Sequence, residues 1–317
     1  MEAVVADLAA NLEQAERLGH EAGAAGAHWI VLPEFFTTGI GFVPELADAA
    51  LAPDGEATQL LLALAARHGA WVGGSFLCRD SDGHVRNAFM LASPGGRIAG
   101  RHDKDLPTMW ENSFYVGGED AGILDADGLP VGVALCWELM RTQTVRRLGG
   151  AVDLVVGGSG WWSMPQWPPA TLVQRLERAN AATARRAAEV FAAYVGAPVV
   201  HAAHAGPLEC AMPWSPLPYR GHFQGGALVC AADGNVIARR ERTEGAGVVI
   251  AEVAPGRVPP GAQAPERFWL HDRGAMSALA WSYQRRHGRR WYERNVAGRP
   301  PARLQDTRHS ERVTAAG

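Results

Sequence analysis

Apolar positions Leu8, Leu12, Ala15, Leu18 and Ala22 recur at helical spacing, and the pattern breaks at Gly23 and Gly26 before the apolar run 28–32. This predicts a helix feeding a buried strand. A second helix over 58–68 passes through Gly69 into a strand over 71–77, and the turn Asp80-Ser-Asp-Gly83 leads to a strand over 87–92. Pro94-Gly-Gly96 then turns the chain toward Lys104. The second half repeats the alternation, with strands near 122–125 and 131–135, a helix over 142–148 and a strand over 153–156. A long helix over 170–194 precedes a strand over 198–203 and a Pro-rich loop to Tyr219. Hairpin strands over 226–231 and 236–240 flank Asp233-Gly-Asn235. No short-period repeat is present, which excludes a solenoid.

Chemistry concentrates where these strands end. Cys136 closes the apolar run Leu129-Pro-Val-Gly-Val-Ala-Leu-Cys136, Lys104 follows Arg101-His-Asp, and Glu34 follows Val31-Leu-Pro. Open α/β architectures present reactive groups to ligands at strand ends. A thiol attacks carbon only as thiolate, so it needs a base to take its proton or a cation to lower its pKa. Glu34 and Lys104 are the candidates for those roles. Charge developing on an attacked carbonyl or nitrile would be met by the Lys104 ammonium and the Trp137 amide.

In these residues the chain resembles the nitrilase or carbon-nitrogen hydrolase superfamily, whose members carry Glu, Lys and Cys in this order. The resemblance spans roughly residues 7 to 255. Leu32-Pro-Glu-Phe-Phe-Thr-Thr-Gly39 corresponds to its Glu motif, Arg101-His-Asp-Lys-Asp-Leu-Pro107 to its Lys motif and Gly132-Val-Ala-Leu-Cys-Trp-Glu138 to its Cys motif. Trp110-Glu-Asn-Ser-Phe-Tyr-Val-Gly117 matches the stretch in which many members place a second Glu, and makes Glu111 a fourth site residue. Each motif is weak alone; four in the family's order are a strong signal. The resemblance implies an α/β fold, a four-layer αββα sandwich. One departure stands out: the family's first strand is missing, since Met1-Glu-Ala-Val-Val-Ala-Asp7 leads almost directly into the first helix. Its absence would leave a neighbouring strand with unpaired edge groups.

Composition adds limits. A chain of 317 residues, 47% hydrophobic and with net charge −3, is that of an ordinary globular enzyme, without the basic balance of an obligate nucleic-acid binder. Neither an apolar run of ~20 residues nor a basic, then apolar, N-terminal segment is present, so a cytoplasmic location with no membrane partner is expected. Cys78, Cys136, Cys210 and Cys230 form no CxxC pair, as expected of reduced thiols. Cys78 and Cys230 read as small buried hydrophobes and Cys210 as a loop residue. After about residue 255 the composition turns toward Arg, Pro and Gly. This divides the chain into a hydrolase domain, 1–255, and a C-terminal extension, 256–317, with Trp269, Trp281 and Trp291 as docking anchors and a disordered end. In the resembling family such segments often cross a dimer interface, which implies a homo-oligomer.

Trp161 and Trp162 follow Gly157-Gly-Ser-Gly160 at a strand end and, with Trp110 and Trp137, are candidate substrate contacts; Trp167 and Trp214 sit in loops over the same rim. They hint at an apolar or aromatic acyl group. His201-Ala-Ala-His204 is read as strand, where positions three apart face opposite ways, so no metal is assigned and no cofactor is expected. The glycine-rich pieces lack dinucleotide or Walker spacing and read as turns and close backbone approaches. The residues suit a hydrolase that forms a thioester on Cys136, and the resemblance implies an amidase of a small linear amide, releasing ammonia. Two alternatives stay open: a nitrilase, because Cys-Trp-Glu resembles that tripeptide, and a catalytically weak scaffold that binds a ligand in the same pocket.

Overall fold

The computed structural model describes residues 1–213, 215–271 and 274–304, with main chain alone over 274–278. Asp7 opens helix α1 (Leu8–Ala24) by accepting the Ala10 N–H at 2.9 Å, and Leu8, Ala15, Leu18 and Ala22 form its buried stripe. It feeds β1 (Trp29–Val31). Helix α2 (Glu56–His68) ends on Gly69 at φ +60°, a left-handed stop that suits glycine, and leads to β2 (Trp71–Arg79). The strands β3 (Val85–Ala92) and β4 (Ile98–Asp103) complete a sheet in the order β1-β2-β3-β4.

The second half supplies β5 (Ile123–Ala126), β6 (Leu129–Val133), helix α3 (Thr142–Leu148), β7 (Leu154–Ser159), helix α4 (Ala170–Val195) and β8 (Val199–Ala203). After the ribbon β9 (Pro207–Cys210) and β10 (Tyr219–His222) come β11 (Ala227–Cys230) and β12 (Val236–Arg240). The second sheet runs β12-β11-β8-β7-β6-β5, with β6, β7 and β8 parallel.

Three apolar layers hold these sheets and helices together. α1 and α2 pack on the outer face of the first sheet through Leu18, Leu61, Leu64, Ile30 and Val72. α3 and α4 cover the second through Val145, Leu148, Phe191, Val155 and Val199. Between the sheets, Phe89 and Leu91 meet Val131, Val133, Leu154 and Val156. The order helix, sheet, sheet, helix is the expected four-layer αββα sandwich. Residues 1–7 contain no strand, as the sequence led us to expect.

Three elements differ from the sequence reading. The sequence predicts no strand at β4, between the Pro94-Gly-Gly96 turn and Lys104, because an edge strand carrying Arg101 and half-exposed residues shows no apolar alternation. The β9–β10 ribbon lies inside what read as a Pro-rich loop. The extension contains helix α5 (Gly274–Asn295), which packs on the 3-10 turn Met109–Ser113 and donates from Trp281 Nε1 to the Pro107 carbonyl at 3.3 Å. The segment expected to be disordered, 305–317, lies outside the described residues, as does Trp214.

Two glycines of β7 allow close backbone approaches, Gly157 to the end of β6 in its own sheet and Gly158 to the loop after β1 in the other half. A Cβ on Gly157 would stand 2.0 Å from the Ala134 carbonyl oxygen, and one on Gly158 2.7 Å from the Glu34 nitrogen. Gly157→Ala should therefore destabilise the fold by at least about 1–3 kcal/mol, the usual cost of overpacking. A lower urea midpoint at unchanged slope is the expected readout; an unchanged midpoint would show that β7 and the Ala134 backbone are not held this closely.

Candidate active site

Each of the four sequence-predicted polar residues leaves a strand end or a tight turn. Glu34 lies just past β1, Lys104 directly follows β4, Glu111 sits in the turn Met109–Ser113 and Cys136 begins the 3-10 turn Cys136–Met140 just past β6. The structure brings all four together in a closed interior, where Glu34, Lys104 and Glu111 are 0% and Cys136 is 1% exposed. Phe35, Met109 and Cys136, each at or beside one of these four, take positive φ, +56°, +46° and +49°. Such strain persists only where the surroundings over-determine it, and it clusters at functional sites.

Lys104 Nζ donates to Glu34 Oε1 at 2.7 Å and to Glu111 Oε2 at 2.8 Å. Glu34 is held further by Asn87 Nδ2 on Oε1 and the Gly160 amide on Oε2, each at 2.9 Å, while His204 Nε2 bonds the Glu34 backbone carbonyl at 2.8 Å. Glu111 Oε2 also accepts the Thr108 amide at 2.8 Å and the Tyr115 hydroxyl. Its other oxygen, Oε1, is buried with no partner among the described residues. Asn87, Tyr115, Gly160 and His204 were not singled out as site residues, because nothing local in sequence marks a side chain or amide that acts by aiming a carboxylate.

Burial and charge set the protonation states. Burial works against the Lys104 ammonium, but the Glu111 and Glu34 carboxylates outweigh it and hold its pKa well above the ordinary value. Burial raises Glu111 to about 7 against the pull of Lys104, with the Glu34 charge adding to the rise. Burial first, and then the Glu34 charge, push the Cys136 thiol well above its usual range, with the thiol hydrogen-bonded to Glu34. The resting arrangement is thus a protonated thiol facing a carboxylate.

The tryptophans divide between two apolar clusters. Trp137 and Trp161 share an apolar cluster with Cys136; Trp137 meets Trp269 edge-on at 5.1 Å, and Trp161 Nε1 donates to Asn180 Oδ1 at 3.0 Å. Trp110 stacks on Trp162 at 4.3 Å in a cluster with Phe35 and Tyr115. Trp167 is half-buried and donates to the Pro218 carbonyl at 2.9 Å. Cys78 and Cys230 are buried in strands, and Cys210 is half-buried on β9, a strand where the sequence suggested a loop. His201, on β8, pairs with Ser159 Oγ at 3.0 Å.

A second charged network holds the turn that carries the thiol. Glu138 accepts the Leu135 amide at 2.9 Å and faces His102 Nε2 at 3.1 Å, and His102 Nδ1 bonds Asp120 at 2.5 Å. Burial opposes both charges. The opposed charges prevail, raising His102 to about 10 and lowering Glu138 to about 2. Stabilisation through His102 is therefore complete below its unfolded value of 6.5 and is lost as pH rises through about 10. Stabilisation through Glu138 is complete above 4.5 and lost as pH falls through about 2. Urea unfolding of wild type should show stability falling between about pH 6.5 and about pH 10, and Glu138→Gln should flatten that fall; equal slopes would contradict the pairing.

The carbon-nitrogen hydrolase family profile matches residues 1–262. A nitrilase of Pyrococcus abyssi is 29% identical over 53% of this chain and 64% of its own length. An omega-amidase of Danio rerio is 27% identical over 48% and 61%, and an omega-amidase of Yersinia enterocolitica 33% identical over 42% and 50%. The matched segments thus span half to just under two thirds of these relatives. In structure, the chain resembles a carbon-nitrogen hydrolase superfamily protein of Xanthomonas campestris, with TM-score 0.59, 20% identity and coverage of 77% of this chain and 84% of that one. It also resembles the amidase from Nesterenkonia sp. AN1, with TM-score 0.57, 19% identity and coverage of 76% and 86%. With four layers in the family's arrangement and the family profile covering most of its length, the chain belongs to the carbon-nitrogen hydrolase family.

Proposed function

We propose that the protein is an amidase that converts a small linear amide to its carboxylic acid and ammonia through a thioester on Cys136. The observation that carries this reading is the thiol buried beside Glu34, with the Lys104 ammonium bridging Glu34 and Glu111. Glu34 takes the Cys136 proton and the sulfur attacks the amide carbon. Lys104 and the Trp137 amide meet the charge that forms on oxygen. The free Oε1 of Glu111 accepts the substrate N–H and positions the amide. Collapse breaks the C–N bond as Glu34 returns its proton to the departing nitrogen, and ammonia leaves. A water molecule, its proton drawn to Glu34, then attacks the thioester; the acid departs and the thiol regains its proton.

Names of relatives support the same class, since omega-amidases recur among them. The relative named a nitrilase and the Cys136-Trp137-Glu138 tripeptide favour a second reading, attack on a nitrile in the same site. Trp110, Trp137, Trp161 and Trp162 are proposed as the walls that select the acyl group. The proposal extends to a hydrolase domain over 1–255 with a C-terminal extension, to a homo-oligomer and to the cytoplasm. Among the described residues, no helix is long and apolar enough to cross a membrane.

Ammonia release from panels of aliphatic and aromatic amides, with the matching nitriles alongside, tests the reading. Release from amides should vanish in Cys136→Ala and fall by about 10²–10⁴-fold in Glu34→Gln, the usual contribution of a positioned base. Release from nitriles alone would favour the second reading. An active Cys136→Ala enzyme would sink both.

A further inference from the structure

Helix α5 lays one face on the segment that carries Lys104 and Glu111. Trp281, Gly288 and Tyr292 share that face at helical spacing. Trp281 Nε1 donates to the Pro107 carbonyl at 3.3 Å, an oxygen that also accepts Asn112 Nδ2 at 3.1 Å. Gly288 lies against the turn of Glu111: a Cβ there would stand 2.7 Å from Asn112 Cβ, 3.0 Å from the Asn112 carbonyl carbon and 3.1 Å from the Ser113 nitrogen. Further along, the Tyr292 hydroxyl accepts the Val85 amide at 2.9 Å, and Arg79 donates to the Val296 carbonyl at 2.8 Å. Glycine weakens a helix interior, and what it permits within Arg285-Arg-His-Gly-Arg-Arg290 is this close approach.

Another part of the C-terminal extension holds the turn of the thiol. Thr142, just past the Cys136–Met140 turn, donates its amide to the Phe268 carbonyl at 3.2 Å and its hydroxyl to the Arg267 carbonyl at 2.7 Å. The Leu270 amide donates to the Met140 carbonyl at 2.8 Å. Trp281 joins the two contacts: its ring centroid lies 6.3 Å from that of Trp137, beside the thiol, and 6.3 Å from that of Trp269, while its N–H holds Pro107.

We infer that the extension is a brace that fixes the spacing between the Cys136 turn and the Glu111 turn, with Gly288 and Trp281 as positioning residues for Glu111. The kinetic consequence rests on the amidase reading above. Glu111 precedes the residue that Gly288 touches, and its Oε2 bonds Lys104 at 2.8 Å. Bonds on both sides of Gly288, at Pro107 and Val85, keep the helix from retreating, so pressure at 288 falls on the turn. The carboxylate then moves relative to Lys104 and to the amide that its Oε1 holds.

The test compares Gly288→Ala, Trp281→Phe and Leu64→Ala in the full chain. We expect kcat for an amide to fall by about 10–100-fold in Gly288→Ala, with KM changed by less than about threefold, because misalignment costs the transition state more than binding. Trp281→Phe keeps a ring and loses the N–H, and should lower kcat several-fold. Leu64→Ala, in the outer layer under α2, should lower Tm and keep kcat. Hydrogen exchange over 108–115 should be at least about tenfold faster in Gly288→Ala and unchanged over 71–79. Wild-type kcat in Gly288→Ala, or unchanged exchange over 108–115, overturns the brace; should that variant not fold, wild-type kcat in Trp281→Phe does so. Wild type silent on amides would sink the amidase reading alone, since the exchange of 108–115 still decides the brace.

Discussion

The interior of this protein is organised around one buried cation. Lys104, wholly enclosed, is tolerable only because Glu34 and Glu111 both bond its ammonium. Removing one partner of such a pair leaves a buried charge uncompensated, at a cost of about 3–5 kcal/mol. The constraint therefore extends outward: Asn87 and the Gly160 amide fix Glu34, and Thr108 and Tyr115 fix Glu111. Asn87 lies on β3, Gly160 just past β7, and Thr108 and Tyr115 on either side of the Met109–Ser113 turn, so the charge cluster ties the two sheets and that turn into one geometry.

That geometry accounts for the two close approaches along β7. Glu34 follows β1 of the first sheet and Cys136 follows β6 of the second; Gly158, with no side chain, lets the Glu34 loop come against β7, and Gly157 does the same for Ala134, two residues before Cys136. The glycines therefore act on the same site as the charges, through space that any Cβ would fill. Glu138 and His102 contribute on the far side of the thiol, holding the turn in which Cys136 sits at φ +49°.

Much of this was legible in the sequence because it lies in strand-end motifs. Glu34, Lys104, Glu111 and Cys136 follow apolar runs or stand in short patterns whose order is informative, and the helix and strand alternation predicts the two-sheet sandwich. What was not legible depends on pairing across distance. β4 has the polar face of an edge strand, so only its partnership with β3 reveals it. Tyr115, Asn87 and His204 act through carboxylate or backbone oxygens that no local spacing marks. The protonated resting thiol is likewise a property of burial, which the sequence around Cys136 does not specify.

The most direct test of the central claim is to quench the wild-type enzyme with acid during turnover of a small linear amide and to weigh the intact protein and its peptides. An acyl group should be found on the peptide containing Cys136, and hydroxylamine should remove it, as expected of a thioester. Ammonia release with no acyl adduct, or with the adduct on another residue, would contradict the account of a buried thiol activated by Glu34 beside Lys104.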